Sequence, residues 1–247
     1  MLGPIGLQLY TVRGLMAESV PRTLEQVAAI GYQEVEFAGY FDTPPAQLRS
    51  LLDATGLTAP SAHVSFESLG GDDWQRVLDD ANTVGHRYVV IAWVPEEARR
   101  TLDDYRRLAD RLEQAAARAV QSGLSFAYHN HEFEFEPIDG TIPYDILASA
   151  DPELVQLQLD LYWIRDAGHE ARAYFAQYPG RFPSVHVKDM AADGQMVDVG
   201  AGVIDWPELL EQAAQAGTRH FFVEHDNPPD PMHSIRESFA YLQRLEA

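Results

Sequence analysis

Three segments of the chain run through apolar residues and then stop at groups that can do chemistry. VQLQLD closes on Asp160, SVHVKD carries His186 and Lys188, and FFVEHD carries Glu224. A fourth, LSFAYHNHEFEF, sets His129, His131 and Glu134 close together just after such a run. A carboxylate withdrawn from water is costly unless a partner compensates its charge. Hard carboxylate oxygens combined with one or two imidazoles suit Mn²⁺, Mg²⁺, Co²⁺ or Zn²⁺, and imidazoles beside a metal suit proton transfer near neutral pH. One divalent ion with acid–base groups around it is the chemistry these residue types favour, provided the fold brings them to one place.

The elements that must do so repeat a single phrase, in which a helical stretch ends at glycine and a short β-branched or aromatic run follows. The phrase occurs at Gly31, Gly56, Gly85, Gly123, Gly180 and Gly217, the position just past a helix where glycine is favoured. With IGLQLY at the start and ELVQLQLD in the middle, the pattern predicts strands at 5–10, 33–37, 58–65, 87–93, 124–129, 154–160, 182–187 and 219–224. Strict alternation of strand and helix implies a parallel sheet. Eight units in 247 residues match a single-domain (β/α)8 TIM barrel over 1–247. An open doubly wound sheet would normally carry a glycine-rich phosphate turn after its first strand. Here that position reads TVRGLMAES.

Barrel strands alternate between interior and helix layer. If Leu157 and Leu159 face the helices, then Gln156, Gln158 and Asp160 face inward. The same register points Gln8, Tyr10, Glu36, His63, His129, His186, Lys188 and Glu224 inward, and His225 toward the helices. The ionisable members cluster at strand C-terminal ends, the end where barrel enzymes hold their active sites. Asp160, His186 and Glu224 close three consecutive strands, so they must converge. Lys188 either pairs with an inward carboxylate or stabilises a substrate oxyanion. Gln8, Glu36 and His63 are candidate substrate contacts. Tyr10, Phe37, Trp93, Tyr162 and Trp163 are aromatics near the mouth, with Trp93 and Tyr162 foremost as candidate substrate contacts.

Composition narrows the field. The formal charge is −20, and there is no cysteine. Thiolate chemistry and disulfides are excluded, and a field of that sign repels nucleic acid and anionic membrane. No apolar run is long enough to span a bilayer, and the N-terminus lacks a signal-peptide pattern. A cytoplasmic protein is the expectation, and a homo-oligomer is compatible with it.

On the segments IGLQLYTVR, GYQEVEFAGY, GLTAPSAHVSFESL, FAYHNHEFEF, LDLYWIRDAG, SVHVKDM, GAGVIDWPELL and VEHDNP, the chain resembles the sugar phosphate isomerase/epimerase family of xylose isomerase-like TIM barrels, in particular a subgroup reading YHNHxFEF. The resemblance runs along nearly the whole chain. It implies one divalent metal held by Glu, Asp, His and Glu. Asp160, His186 and Glu224 match three of these. The chain has His129 where many members have the first Glu, so the fourth ligand is His129 or Glu134, with Glu134 preferred because another carboxylate balances the ion's charge. The implied reaction removes a proton next to a carbonyl, with the metal stabilising an enediolate and His129, His131 or Glu224 as base. Epimerisation, aldose–ketose isomerisation, and elimination as in inosose dehydratases or 3-keto-glycoside lyases share that first step. With no arginine-rich or glycine-rich phosphate pocket in the sequence, an unphosphorylated sugar, keto-sugar or cyclitol is the expected substrate. A metal-free sugar-binding module is the alternative outside enzymes. A nuclease, the family's other branch, is disfavoured by the acidic charge.

Overall fold

Strand and helix alternate as the sequence predicts. The structure, a computed structural model, describes residues 3–246. The barrel strands are β1 (Ile5–Gln8), β2 (Glu34–Ala38), β3 (Thr58–Val64), β4 (Tyr88–Ile91), β5 (Ser125–His129), β6 (Val155–Asp160) and β7 (Ser184–Val187), with β10 (His220–Val223) closing the sheet. A two-stranded hairpin of β8 (Asp189–Met190) and β9 (Met196–Val197) stands between β7 and β10. All eight barrel strands are parallel, and β10 pairs with both β1 and β7. Gly56 and Gly85 end their helices in the left-handed conformation, which allows the sharp return into β3 and β4.

The outward faces form the main core. Leu7, Val35, Phe37, Val89, Phe126 and Leu157 are all fully buried against the helices, each worth about 1.5–3 kcal/mol. The interior differs from the branched apolar filling common in such barrels. Tyr88, Val90 and Ala127 form a small separate apolar cluster there, and Phe222 fills the space beside Gly6, where a Cβ would collide with its ring. Most other interior positions are polar, and hydrogen bonds take the place of apolar packing. Near the N-terminal end of the barrel, for example, His220 Nδ1 pairs with Glu34 at 2.8 Å.

Two local features differ from expectation and shape the mouth of the barrel. The first strand stops at Gln8 rather than residue 10. The Gln8 side chain accepts a hydrogen bond from Tyr10 N at 3.0 Å, turning the chain into a 3₁₀ segment over Leu9–Val12. Tyr10 therefore stands on the rim, 41% exposed. The second is a short helix directly after β6, Leu161–Asp166, which the strand–helix count did not separate. Asp160 starts it, with Oδ1 accepting from the backbone N–H groups of Tyr162 and Trp163 at 2.9 Å, an ordinary use of aspartate at a helix start.

Asp189, next to Lys188, ties the loop GAGVIDW to the end of β7. Its carboxylate accepts hydrogen bonds from the backbone N–H groups of Met190, Gly200 and Gly202 and from Trp206 Nε1. A methyl group on Gly202 would overlap that carboxylate. The two motifs read separately in the sequence are one buried clamp.

Candidate metal centre and cavity

The C-terminal ends of the strands surround a cavity of about 570 Å³. Its two walls differ. The ends of β1 to β4 supply Tyr10, Ala38, Val64, Phe66 and Trp93. The ends of β5 to β10 supply His129, His131, Lys188, Glu224 and Asp226.

At the floor, Asp160, His186 and Glu224 each offer a ligand atom, and these atoms lie within 4.8 Å of one another. All three side chains are buried. The register explains the meeting: Asp160 lies opposite His186 across β6 and β7, and Glu224 follows β10, whose Phe222 lies opposite His186. His186 Nδ1 is 2.6 Å from Glu224 Oε2, and Nε2 is 2.6 Å from Glu36 Oε2. Burial alone would lower the pKa of His186, but the Glu224 and Glu36 carboxylates on either side outweigh it and lift it to about 10. Burial raises Glu224 too, yet Lys188 and His186 hold it well below the usual carboxylate range. Burial keeps Asp160 above its ordinary value against the pull of Lys188 and His186.

Lys188 is buried and bridges the acids. Its Nζ lies 2.8 Å from Glu224 Oε2, 2.8 Å from Asp226 Oδ1 and 3.1 Å from Asp160 Oδ2. Burial would lower its pKa, but these three carboxylates hold it well above the usual value. Of the two roles read for Lys188, the ion pair with inward carboxylates is the one its contacts display. Asp226, to which the sequence reading gave no role, is the third anchor, and its place two residues past Glu224 was the available signal.

Polar atoms without partners gather here. Of the five buried side-chain N or O atoms lacking a hydrogen bond among the described residues, three are Asp160 Oδ2, His131 Nδ1 and Trp163 Nε1. Asp160 Oδ2 pairs with the Lys188 ammonium at 3.1 Å without a well-directed hydrogen bond, and the His129 ring lies beside it, Nε2 at 3.7 Å. Buried polar atoms are rarely left unpaired, and such a group aimed at a cavity fits a bound species. Four carboxylates, Asp160, Glu224 and Asp226 at the floor and Glu36 beneath it, face two cations, His186 and Lys188. A divalent cation offsets that excess. The donor set therefore fits a metal: Asp160, His186 and Glu224 would hold it, with His129 adjoining on the side of Asp160.

Several expected contacts fall elsewhere. Glu134, the preferred fourth ligand, lies on the helix side of β5. Its carboxyl accepts hydrogen bonds from Tyr128 Oη and from His131 N, and it is not among the residues whose ligand atoms converge. Burial pushes its pKa up to about 8, which favours the neutral acid at pH 7, a poor metal ligand. The loop after His129 folds back over the outside of the strand, and that is why Glu134 does not reach the floor. Gln8 and Glu36, expected to touch substrate, lie beneath the floor and do not line the cavity. Tyr162 is likewise off the cavity wall, its hydroxyl donating to Gly194 O at 2.9 Å. Phe37 is fully buried in the core. His63, Trp93, His129, His131, Lys188 and Glu224 do line the cavity.

His131 is a cavity imidazole whose buried Nδ1 has no hydrogen-bond partner among the described residues. Its ring stacks on Phe133 with centroids 5.4 Å apart and meets His129 edge-on at 5.2 Å. Burial, aided by nearby Lys188, lowers its pKa to about 3, so it is unprotonated at neutral pH. His129 is also held neutral, by burial first and then by His186 and His63.

A closed eight-stranded parallel barrel defines a TIM barrel, here with a carboxylate–imidazole cluster at the strand C-termini that could hold a metal. The chain belongs to the xylose isomerase-like TIM barrel family, whose model matches residues 24–245. It is 23% identical over 249 residues to the rhizopine catabolism protein MocC of Rhizobium meliloti, an alignment covering 86% of this chain and 76% of MocC. A sugar phosphate isomerase/epimerase structure from Parabacteroides distasonis superimposes with a TM-score of 0.84 at 23% identity, covering 98% of this chain and 94% of the other. The structure of the IolI protein with a bound zinc atom superimposes with a TM-score of 0.77 at 17% identity, covering 98% and 96%. At these identities the structural likeness is one of fold. No helix among the described residues is long and apolar enough to cross a membrane.

Proposed function

We propose that this chain is a divalent-metal-dependent isomerase or epimerase that removes a proton next to the carbonyl of an unphosphorylated sugar or keto-sugar. The observation that carries the reading is the convergence of Asp160, His186 and Glu224 on one point at the cavity floor, with a neutral imidazole, His131, on the wall beside it. A zinc-bearing relative of the same fold supports it. A divalent ion held there would act as a Lewis acid on the carbonyl and adjacent hydroxyl oxygens. His131 is the base in this reading. Its Nδ1 has no other partner, and the nearby Glu224 carboxylate favours the imidazolium that would form. Glu224 is a poorer base, since His186 and Lys188 both occupy its Oε2. Lys188 keeps the ligand carboxylates ionised. Among the described residues it is the one Lys or Arg on the cavity wall, and its three carboxylate partners leave no cation free for a phosphate.

Elimination is the second reading, and the rim favours it. Trp93 and Tyr10 are 51% and 41% exposed at the cavity edge, and exposed aromatic surface of this kind marks binding sites. In this reading a second ring, as in a 3-keto-glycoside, stacks on them, with paired His129 and His131 serving proton removal and leaving-group departure. The test loads the protein with Mn²⁺ or Zn²⁺ and incubates it in D₂O with a panel of ketoses and 3-keto-glycosides. Loss of one C–H signal with the carbon skeleton intact supports isomerisation or epimerisation. Release of free aglycone supports elimination. A metal-loaded protein that exchanges no proton in any of them overturns both.

A further inference from the structure

The layer beneath the floor contains more polar chemistry than the cavity reaction uses. Glu36 is fully buried and accepts hydrogen bonds from Gln8 Nε2 at 2.7 Å, from Ser61 Oγ and from Gln158 Nε2 at 2.7 Å. It also lies 2.6 Å from His186 Nε2 and 3.1 Å from His63 Nε2. Gln158, also fully buried, spends its amide N–H groups on Glu36 and on Ser184 Oγ at 3.0 Å. Its carbonyl oxygen then faces two imidazole nitrogens, His63 Nε2 at 2.7 Å and His129 Nδ1 at 3.0 Å.

This pattern fixes the protons on the nitrogens that face the layer. A carboxylate and an amide oxygen only accept. His186 must therefore carry a proton on Nε2, toward Glu36, and His129 must carry one on Nδ1, toward Gln158. On the cavity side, His129 Nε2 beside Asp160 is left with a lone pair, whereas His186 Nδ1, 2.6 Å from Glu224, carries a second proton that a bound metal would replace. We infer that Glu36 and Gln158 are positioning residues that hold a proton on His186 Nε2 and on His129 Nδ1, so that His186 Nδ1, on giving up its proton, and His129 Nε2 are the nitrogens directed to the point where a metal would sit. Partners of this kind behind metal-ligating histidines orient the ring and raise its basicity, and their loss costs roughly 10- to 100-fold in metal affinity. The layer also accounts for the polar barrel interior: it supports the ligands from below. The inference rests on the metal-site reading for its purpose, and its proton assignment can be read without metal.

The test is long-range ¹H–¹⁵N spectroscopy of ¹⁵N-histidine-labelled wild-type protein, metal-free and zinc-loaded. We expect His129 protonated on Nδ1 and not on Nε2 in the metal-free protein. With zinc, we expect His186 protonated on Nε2 and coordinated through Nδ1. Chelator competition on Glu36→Gln and Gln158→Leu should show zinc affinity reduced roughly 10- to 100-fold. A proton on His129 Nε2 in the wild type, zinc on His186 Nε2, or wild-type zinc affinity in both folded variants overturns the inference. If the wild type binds no metal, the metal-site reading fails, and the His129 proton assignment still decides this one. The wild-type spectra also decide it if neither variant folds.

Discussion

Replacing Lys188 by methionine separates the two sources of positive charge available to the floor carboxylates. The ammonium is 2% exposed and touches Glu224 and Asp160, themselves 6% and 0% exposed, at 2.8 and 3.1 Å. Removing one partner of a buried ion pair costs about 3–5 kcal/mol, because the remaining charge is left unpaired. His186 still compensates Glu224, and the third partner, Asp226, is 22% exposed, so the lower end, about 3 kcal/mol, is expected. For a chain of this length about 2–4 °C accompanies each kcal/mol, so metal-free Lys188→Met should melt roughly 6–12 °C below wild type. Zinc should then stabilise the variant more than the wild type, because the ammonium no longer occupies Asp160 Oδ2 and Glu224 Oε2. At a zinc concentration 100 times the Kd, binding contributes about 2.7 kcal/mol, enough to restore most of the loss. Thermal unfolding of both proteins, chelated and zinc-loaded, measures each quantity. A chelated variant that melts with the wild type, or equal zinc shifts in the two proteins, would refute the reasoning.

His131→Asn should leave zinc affinity near wild type and slow deuterium exchange into substrate by roughly 10²- to 10⁴-fold, the usual contribution of a positioned base; loss of zinc binding in parallel would count against a base. Burial holds the pKa of His86 down to about 4 while its Nδ1 meets Ala59 O at 2.7 Å. Between pH 6.5 and 4 the unfolded chain binds a proton there that the folded chain refuses, so stability falls as pH falls, by about 3 kcal/mol across that window. His86→Gln should flatten that part of a urea-midpoint-against-pH profile. Asp189→Asn should destabilise the fold by about 2–3 kcal/mol, because an amide cannot accept from donors on both sides, and chemical denaturation measures it.

The comparison of Asp160 with Glu134 shows what governed legibility. Asp160 ends a strand, so its direction follows from the alternation of side chains along VQLQLD, and the structure places it inward as expected. Glu134 lies five residues beyond the end of β5, in a loop with no periodicity, and nothing local says that the loop turns back to Tyr128 on the outer side. Tyr10 illustrates the same limit at closer range, since one side-chain hydrogen bond from Gln8 ended the strand early. Glu36 faces inward, as strand alternation implies, but its depth below the floor depends on the relative stagger of β2, β3 and β6, a relation between distant segments.

The chain by itself determined the barrel, the inward set and the meeting of Asp160, His186 and Glu224, because strand alternation and apolar periodicity are local properties that every closed parallel barrel converts into position in the same way. Tertiary structure alone decided which inward groups reach the cavity and which support from beneath. It also decided that Lys188 is shared among three carboxylates and that Asp189 closes the glycine loop. Those outcomes depend on the stagger between strands and on where irregular loops return, and they are fixed by packing and hydrogen-bond competition between segments far apart in sequence.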